Sequence, residues 1–88
     1  MEPTRIILRA AYPSSLESAA LQDLIRASVA ETAEHQGLST PTTEIHPDRI
    51  EILVAAAGPI ALALAAEVRR TTGLWHRRKY GAPLWLGE

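Results

Sequence analysis

The residues with the most evident chemistry form a short basic segment enclosed by two aromatic side chains. Residues 75–80 read Trp-His-Arg-Arg-Lys-Tyr. Clustered cations bind phosphate groups and aromatic rings stack on bases, whereas Trp, Tyr and Arg also anchor protein interfaces. We weigh three interpretations of this segment: contact with nucleic acid, contact with an acidic protein partner, or solvated cations beside a Trp75 that fills the core.

The distribution of charge separates this segment from the rest of the chain. Residues 69–88 hold five cations and one acid, whereas residues 1–68 hold four cations and nine acids, and the formal net charge is −1. A nucleic acid that extended beyond the basic segment would meet repulsion from the acidic part. The charge pattern therefore favours a protein partner over nucleic acid.

The side chains that commonly carry catalysis or bind metals do not form a recognisable site in the sequence. There is no cysteine, which excludes disulfides, thiolate metal sites and a cysteine nucleophile. His35, His46 and His76 lack the spacing of a histidine metal motif, and there is no glycine-rich phosphate loop. Gly58-Pro59 opens a helix whose N-terminus could hold an anion, although proline removes one donor. We expect a non-catalytic protein without a metal or cofactor.

The length and composition indicate one small folded domain over residues 1–88. A chain of 88 residues buries a modest core, and its 47% apolar and 22% charged content is typical of globular proteins. The uncharged run 52–66 is shorter than the about 20 residues of a membrane span, and the N-terminus does not resemble a signal peptide. We expect a cytoplasmic protein with no membrane partner, from a bacterial genome whose G and C content favours alanine and arginine.

Hydrophobic periodicity and turn residues predict six elements in the order β-α-β-β-α-β. Ser14 to Glu17 fits a capping box for the first helix, which ends at Gly37. The second helix is predicted to begin at Gly58-Pro59 and to end at Gly73. The predicted strands are residues 4–11, 42–46 and 49–55, and the basic and aromatic segment 74–88 is predicted to end in a short edge strand, with a surface tail as the alternative.

This order of elements predicts an α+β fold of the ferredoxin-like type. Two right-handed β-α-β crossovers would form a β-α-β-β-α-β plait, with a four-stranded antiparallel sheet and both helices on one face. The expectation concerns architecture alone, because this fold supports many unrelated functions.

The predicted sheet leaves one face uncovered. Alternation within the strands places Ile7 and Leu53 at the centre of that face, where RNA-recognition plaits carry aromatic residues. Glu51 is expected to pair with an arginine on the neighbouring strand. An apolar centre with a charged rim is typical of a protein interface. Trp85 from the edge strand is predicted to extend the apolar centre, and the predicted rim consists of Arg5, Arg9, Glu51, and Glu44 or His46.

We therefore predict a protein–protein interaction or assembly module that self-associates or serves as an accessory subunit of a larger bacterial complex. The alternatives are a nucleic-acid-binding module that uses residues 75–80, and a regulatory domain that binds a small anionic ligand. The predicted contact residues are Arg5, Ile7, Arg9, Glu51, Leu53, Trp75, Arg77, Arg78, Lys79, Tyr80 and Trp85.

Overall fold

Two helices and a three-stranded antiparallel sheet make up this small α+β fold. The computed structural model describes residues 2–87. The elements in chain order are β1 (Thr4–Arg9), α1 (Ala19–His35), β2 (Thr42–His46), β3 (Arg49–Val54) and α2 (Gly58–Tyr80). The strand order is β1-β3-β2, so β3 lies at the centre of the sheet.

The prediction of a four-stranded ferredoxin-like plait is wrong, because the sheet of residues 2–87 has three strands. The last segment meets the sheet at an isolated antiparallel bridge between Ala10 and Trp85. One flanking hydrogen bond runs from the Leu86 amide to the Arg9 carbonyl at 2.8 Å. The pairing stops there because Gly87 has a φ of 85°, outside the extended region that a strand requires.

The helix α1 begins later than the sequence predicts. Ser18, rather than Ser14, is the N-cap, and its side chain accepts a 3.4 Å hydrogen bond from the Leu21 amide. The residues between the two serines form a turn that inserts Leu16 into the core. At the other end, Gly37 follows the helix with a φ of 71°, as predicted.

The core lies between the two helices and one face of the sheet. β3 supplies the fully buried centre, and each helix adds a stripe of aliphatic side chains. These residues include Ile50, Ile52 and Val54 from β3, Ile25 and Val29 from α1, and Leu64 and Val68 from α2. Within the described residues, neither helix is long and apolar enough to cross a membrane.

The helix α2 continues well beyond its predicted end at Gly73. Gly73 is buried inside the helix, and the C-cap is Gly81 with a φ of 70°. The inward-facing positions Val68 and Thr72 are followed one turn later by the half-buried Trp75. Packing along this stripe stabilises the helix across the glycine, whose own propensity is unfavourable. The basic segment is therefore helical rather than part of a separate tail.

Candidate functional site

The last turns of α2 present a cluster of cations, which we call the basic end and define as residues 70–80. Arg77, Arg78 and Lys79 are all exposed. None of the three forms an ion pair with another residue in the range 2–87. The helix dipole stabilises cations near a helix C-terminus, so these three cations are favoured at this position even without an acidic partner.

Arg70 differs from these three cations because it is held by a carboxylate. Its Nε and Nη2 donate to the two Glu67 carboxylate oxygens at 3.1 and 2.6 Å. This hydrogen bonding lowers the pKa of Glu67 and raises the pKa of Arg70. The pair neutralises the only acid in α2, so the basic end faces no free carboxylate from its own helix.

Two shallow grooves flank the exposed Leu74 on the outer side of α2. One has a volume of about 360 Å³ and the other about 320 Å³. Leu74 lines both grooves, and Arg70 is shared between them. The first also contains Arg69 and Arg77, and the second contains Arg78. Each groove thus combines an apolar floor with at least two guanidinium groups.

The aromatic rings of the basic end contact each other. Trp75 and Tyr80 meet edge to face, with ring centroids 6.1 Å apart. The Lys79 ammonium lies 5.0 Å from the centre of the Trp75 ring, and the His76 ring is 4.8 Å from Tyr80. These contacts occupy ring surfaces that base stacking would need, whereas the guanidinium groups stay open to solvent.

Trp85 is the side chain that fills the core, and the prediction that it joins an exposed contact surface is wrong. It is 1% exposed. Its indole Nε1 donates a 2.9 Å hydrogen bond to Thr72 Oγ1 on α2. The short pairing of Ala10 with Trp85 directs the ring inward, over the end of β1.

The open face of the sheet carries the predicted apolar pair. Ile7 is 44% exposed and Leu53 is 37% exposed. The two residues lie on the adjacent strands β1 and β3, in a register that sets Ile7 opposite Glu51 and Arg5 opposite Leu53. These four residues therefore form one continuous surface, which we call the open-face patch.

Glu51 is the charged centre of the open-face patch. Its carboxylate lies 3.6 Å from Arg5 Nη1, 3.5 Å from Arg49 Nε and 3.2 Å from His46 Nε2, and its side chain is 17% exposed. The contact with His46 lies outside hydrogen-bond geometry. The pairing with Arg5 confirms the expected cross-strand contact. Of the two predicted alternatives for the rim, His46 is the one in contact with Glu51. Arg49 was missed, although its spacing from Glu51 within the predicted strand could have indicated it.

The structure separates the predicted contact residues into two surfaces. Both helices cover one face of the sheet, so α2 and the open-face patch lie on opposite sides of it. Trp75 to Tyr80 belong to the first surface, and Arg5, Ile7, Glu51 and Leu53 belong to the second. Arg9 is exposed at the end of β1 and has no ion pair within residues 2–87.

The three histidines do not converge. His35 lies 3.9 Å from Glu31 on the same helix, and His76 Nδ1 lies 2.8 Å from the Ala82 carbonyl oxygen. Across residues 2–87, no cluster of three or more histidine and carboxylate side chains has a metal-binding arrangement. Each histidine therefore serves its own local contact.

A groove of about 320 Å³ between α1 and α2 was not visible in the sequence. Its charged residues already have partners, because Glu31 faces His35 and Glu67 binds Arg70. The hydroxyl of Ser28 is buried there without a hydrogen-bond partner. The groove is lined by Ser28, Glu31, Thr32, His35, Gln36, Glu67 and Thr71.

Comparison with known proteins shows similarity in fold. No protein-family model matches the sequence, and no curated protein matches it. A 1.90 Å crystal structure described as that of a candidate transposase from Deinococcus radiodurans R1 superimposes with a TM-score of 0.69. The match covers 100% of this chain and 76% of the other, at 17% sequence identity.

Proposed function

We propose that this protein binds the phosphate backbone of nucleic acid through the basic end of α2. The observation that carries the proposal is the continuation of α2 to Tyr80, which places the exposed residues Arg77, Arg78 and Lys79 together on its last helical turn. Cations without local partners can each neutralise a phosphate and release a counterion. No catalytic step is part of this proposal.

The similarity in fold gives this proposal independent support. The neighbouring structure is described as a candidate transposase, a description that implies DNA as a substrate. Of the acidic residues that argued against nucleic acid in the sequence, only Glu67 lies on α2 itself. Asp23, Glu31 and Glu34 are on α1, and Glu67 is neutralised by Arg70.

The contacts among the aromatic rings support binding mainly through charge. Trp75 and Tyr80 pack against each other and Lys79 lies over the Trp75 ring, so we expect the cations rather than base stacking to provide most of the affinity. Binding through phosphates alone carries no base readout. We therefore expect weak discrimination between sequences and a steep dependence on salt concentration.

The test compares two variants that lose the same charge from different surfaces. Arg77→Ala combined with Arg78→Ala removes two cations from the basic end, and Arg5→Ala combined with Arg9→Ala removes two from β1. Affinity for a fluorescent 20-base-pair DNA duplex is measured by anisotropy from low to moderate salt. The first variant should reduce the slope of log affinity against log salt by about 2, since each phosphate contact contributes about 0.9.

The β1 variant should keep the wild-type slope of log affinity against log salt to within about 0.5, which is roughly half the contribution of one phosphate contact. Equal losses from both variants would indicate a response to total charge and would contradict binding at the basic end. Wild-type binding that does not change with salt would also overturn the proposal. Circular dichroism of both variants checks that the fold is retained.

Protein contact through the open-face patch is a second candidate function. The exposure of Ile7 and Leu53 next to the Glu51 ion pairs supports it, because interfaces combine an apolar centre with a polar rim. Light scattering over a range of concentrations would detect self-association. Ile7→Glu with Leu53→Glu should then abolish association without lowering the melting temperature, and association that survives this double change would exclude the patch.

A further inference from the structure

The outer edge of β1 is only partly occupied. In an antiparallel strand, alternate residues direct both of their backbone polar groups to the same side. The Arg9 carbonyl accepts a hydrogen bond from the Leu86 amide on the outer side of β1. Ile7 and Arg5 are two and four residues before Arg9, so their N–H and C=O groups point to the same outer side. The described pairing with this edge reaches Leu86, and Gly87 has a φ of 85°, outside the extended region. The outer backbone groups of Arg5 and Ile7 therefore remain without a strand partner within residues 2–87.

The opposite edge of the sheet is protected. The guanidinium of Arg26 on α1 donates a 2.7 Å hydrogen bond to the Thr43 carbonyl of β2. A charged side chain across an edge is a common device against the addition of another strand. Of the two edges, β1 is thus the one that is able to accept a further strand.

An exposed leucine lies on the side of α2 that faces the pairing of β1 with the last segment. Arg69 Nη2 donates to the Leu86 carbonyl at 3.0 Å, which fixes this side of α2 above the strand pairing. Leu62 lies two helical turns earlier on the same side of α2, and it is 60% exposed. Beneath it, Ile6 and Leu8 of β1 are partly buried against the core. The surface between helix and strand edge is consequently apolar on its inner side.

The opposite side of the same edge is cationic. Arg5 and Arg9 project on the open face, where Arg9 has no ion pair within the described chain and Arg5 keeps only a 3.6 Å contact with Glu51. A second copy of β1, paired antiparallel about Ile7, would set Arg5 opposite Arg9, and like charges in that position are destabilising. The charges thus favour a different, acidic partner over self-pairing.

We propose that the free edge of β1 binds an extended segment of a partner protein in which apolar and acidic residues alternate. The segment pairs antiparallel, following the direction that the Ala10–Trp85 bridge already sets. Its apolar side chains pack between Leu62 and the partly buried residues of β1. Its carboxylates lie beside Arg5 and Arg9. Backbone hydrogen bonds to Arg5 and Ile7 provide affinity, as in other cases of strand addition. This surface is separate from the basic end.

The test uses an acetylated, amidated nine-residue peptide of alternating valine and glutamate, with lysine in place of glutamate as the control peptide. NMR of the full chain follows backbone amide shifts and hydrogen exchange. The acidic peptide should shift and protect the amides of Arg5 and Ile7, and the lysine peptide should bind at least about tenfold more weakly because the charges then repel.

Two variants separate pairing at the edge from contact with the open-face patch. Ile7→Pro removes the outward amide but none of the bonds to β3, so the sheet should persist while peptide binding is lost. Arg5→Glu with Arg9→Glu should weaken binding at least about tenfold, and this pair gives the result if Ile7→Pro fails to fold. Leu53→Gln removes the apolar side chain from the open face without adding a charge opposite Arg5, so it should leave binding unchanged.

Equal binding of the two peptides would overturn the proposal. It would also be overturned by peptide-induced shifts confined to the basic end or to the β2 edge, or by a loss of binding with Leu53→Gln as large as that with the Arg5 and Arg9 reversal.

Discussion

The indole Nε1 of Trp85 donates to Thr72 Oγ1 at 2.9 Å, and both side chains are buried. The Thr72 hydroxyl in turn donates to the Val68 carbonyl at 2.6 Å, within α2. This chain of bonds attaches the last segment to the middle of the helix whose end carries the basic residues. The position of the final residues and the order of α2 therefore depend on the same contact.

Replacing Thr72 by valine should destabilise the fold by about 1–3 kcal/mol, because the buried indole N–H loses this acceptor while the side-chain volume is conserved. Urea denaturation at constant slope measures the change. Thr72→Ser keeps the hydroxyl and should recover most of the loss. Equal stability of the valine variant and the wild type would show that the hydrogen bond contributes nothing net.

Replacing Trp85 by alanine should cost about 3–5 kcal/mol, since it leaves a large cavity in the core. The adjacent Leu86 is exposed, and Leu86→Ala should change stability by no more than about 0.5 kcal/mol. Thermal unfolding of the two variants compares them directly. Similar melting temperatures would mean that the last segment does not pack onto the core as the bridge to Ala10 indicates.

Gly81→Ala should loosen the end of α2, because a φ of 70° costs a side-chain-bearing residue about 1–2 kcal/mol. Amide hydrogen exchange should accelerate from Arg77 to Tyr80 with less effect near Val68. Gly58→Ala is the matched control: a Cβ there meets no atom within 4 Å and the backbone is not left-handed. Exchange at the end of the helix should be unchanged in that control.

Replacing Glu67 by glutamine should strengthen DNA binding several-fold at low salt, because it releases Arg70 for phosphate contact. Anisotropy titrations should show a steeper salt dependence than in the wild type. Glu34→Gln removes the same charge from the exposed side of α1 and should have a smaller effect. An equal gain from both changes would indicate net charge rather than the local pair.

The same pair predicts a pH dependence. Hydrogen bonding by Arg70 lowers the pKa of Glu67 from its ordinary value of 4.5. The stabilisation is therefore complete above the pKa of the unfolded chain and is lost as pH falls through the lower, folded value. Both groups are exposed, so the effect on global stability is small. An NMR titration of the Glu67 carboxyl carbon should have a midpoint below 4.5, and Arg70→Ala should return it towards that value.

The sequence indicated the first five elements because their periodicities and turn residues are local. The Pro47-Asp48 turn joins β2 and β3 as predicted, and Gly37 follows α1. The end of α2 was misassigned because Gly73 resembles a helix terminator. Its burial beside the stripe that contains Thr72 is a tertiary effect, and this effect outweighs the local preference of glycine.

The exposure of the predicted contact residues was predicted unevenly, for a related reason. Strand alternation is enough to expose Ile7 and Leu53. Trp85, however, lies two residues after Pro83 in an irregular segment, where no period defines a direction. Its burial, its bridge to Ala10 and its hydrogen bond to Thr72 show that it points inward. Glu67 and Arg70 are three residues apart on one helix. Residues at this spacing are neighbours on a helix surface, so their ion pair can be predicted once the helix is known.

The length of α2 has a consequence for how variants of this protein should be screened. Its 23 residues extend about 34 Å, compared with about 20 Å for a six-residue strand. Every residue from Arg77 to Gly81 is exposed. Charge substitutions among these residues remove almost no buried area, so they should leave the melting temperature in a thermal-shift assay nearly unchanged. A library ranked by melting temperature would then retain variants that had lost the cations of the basic end.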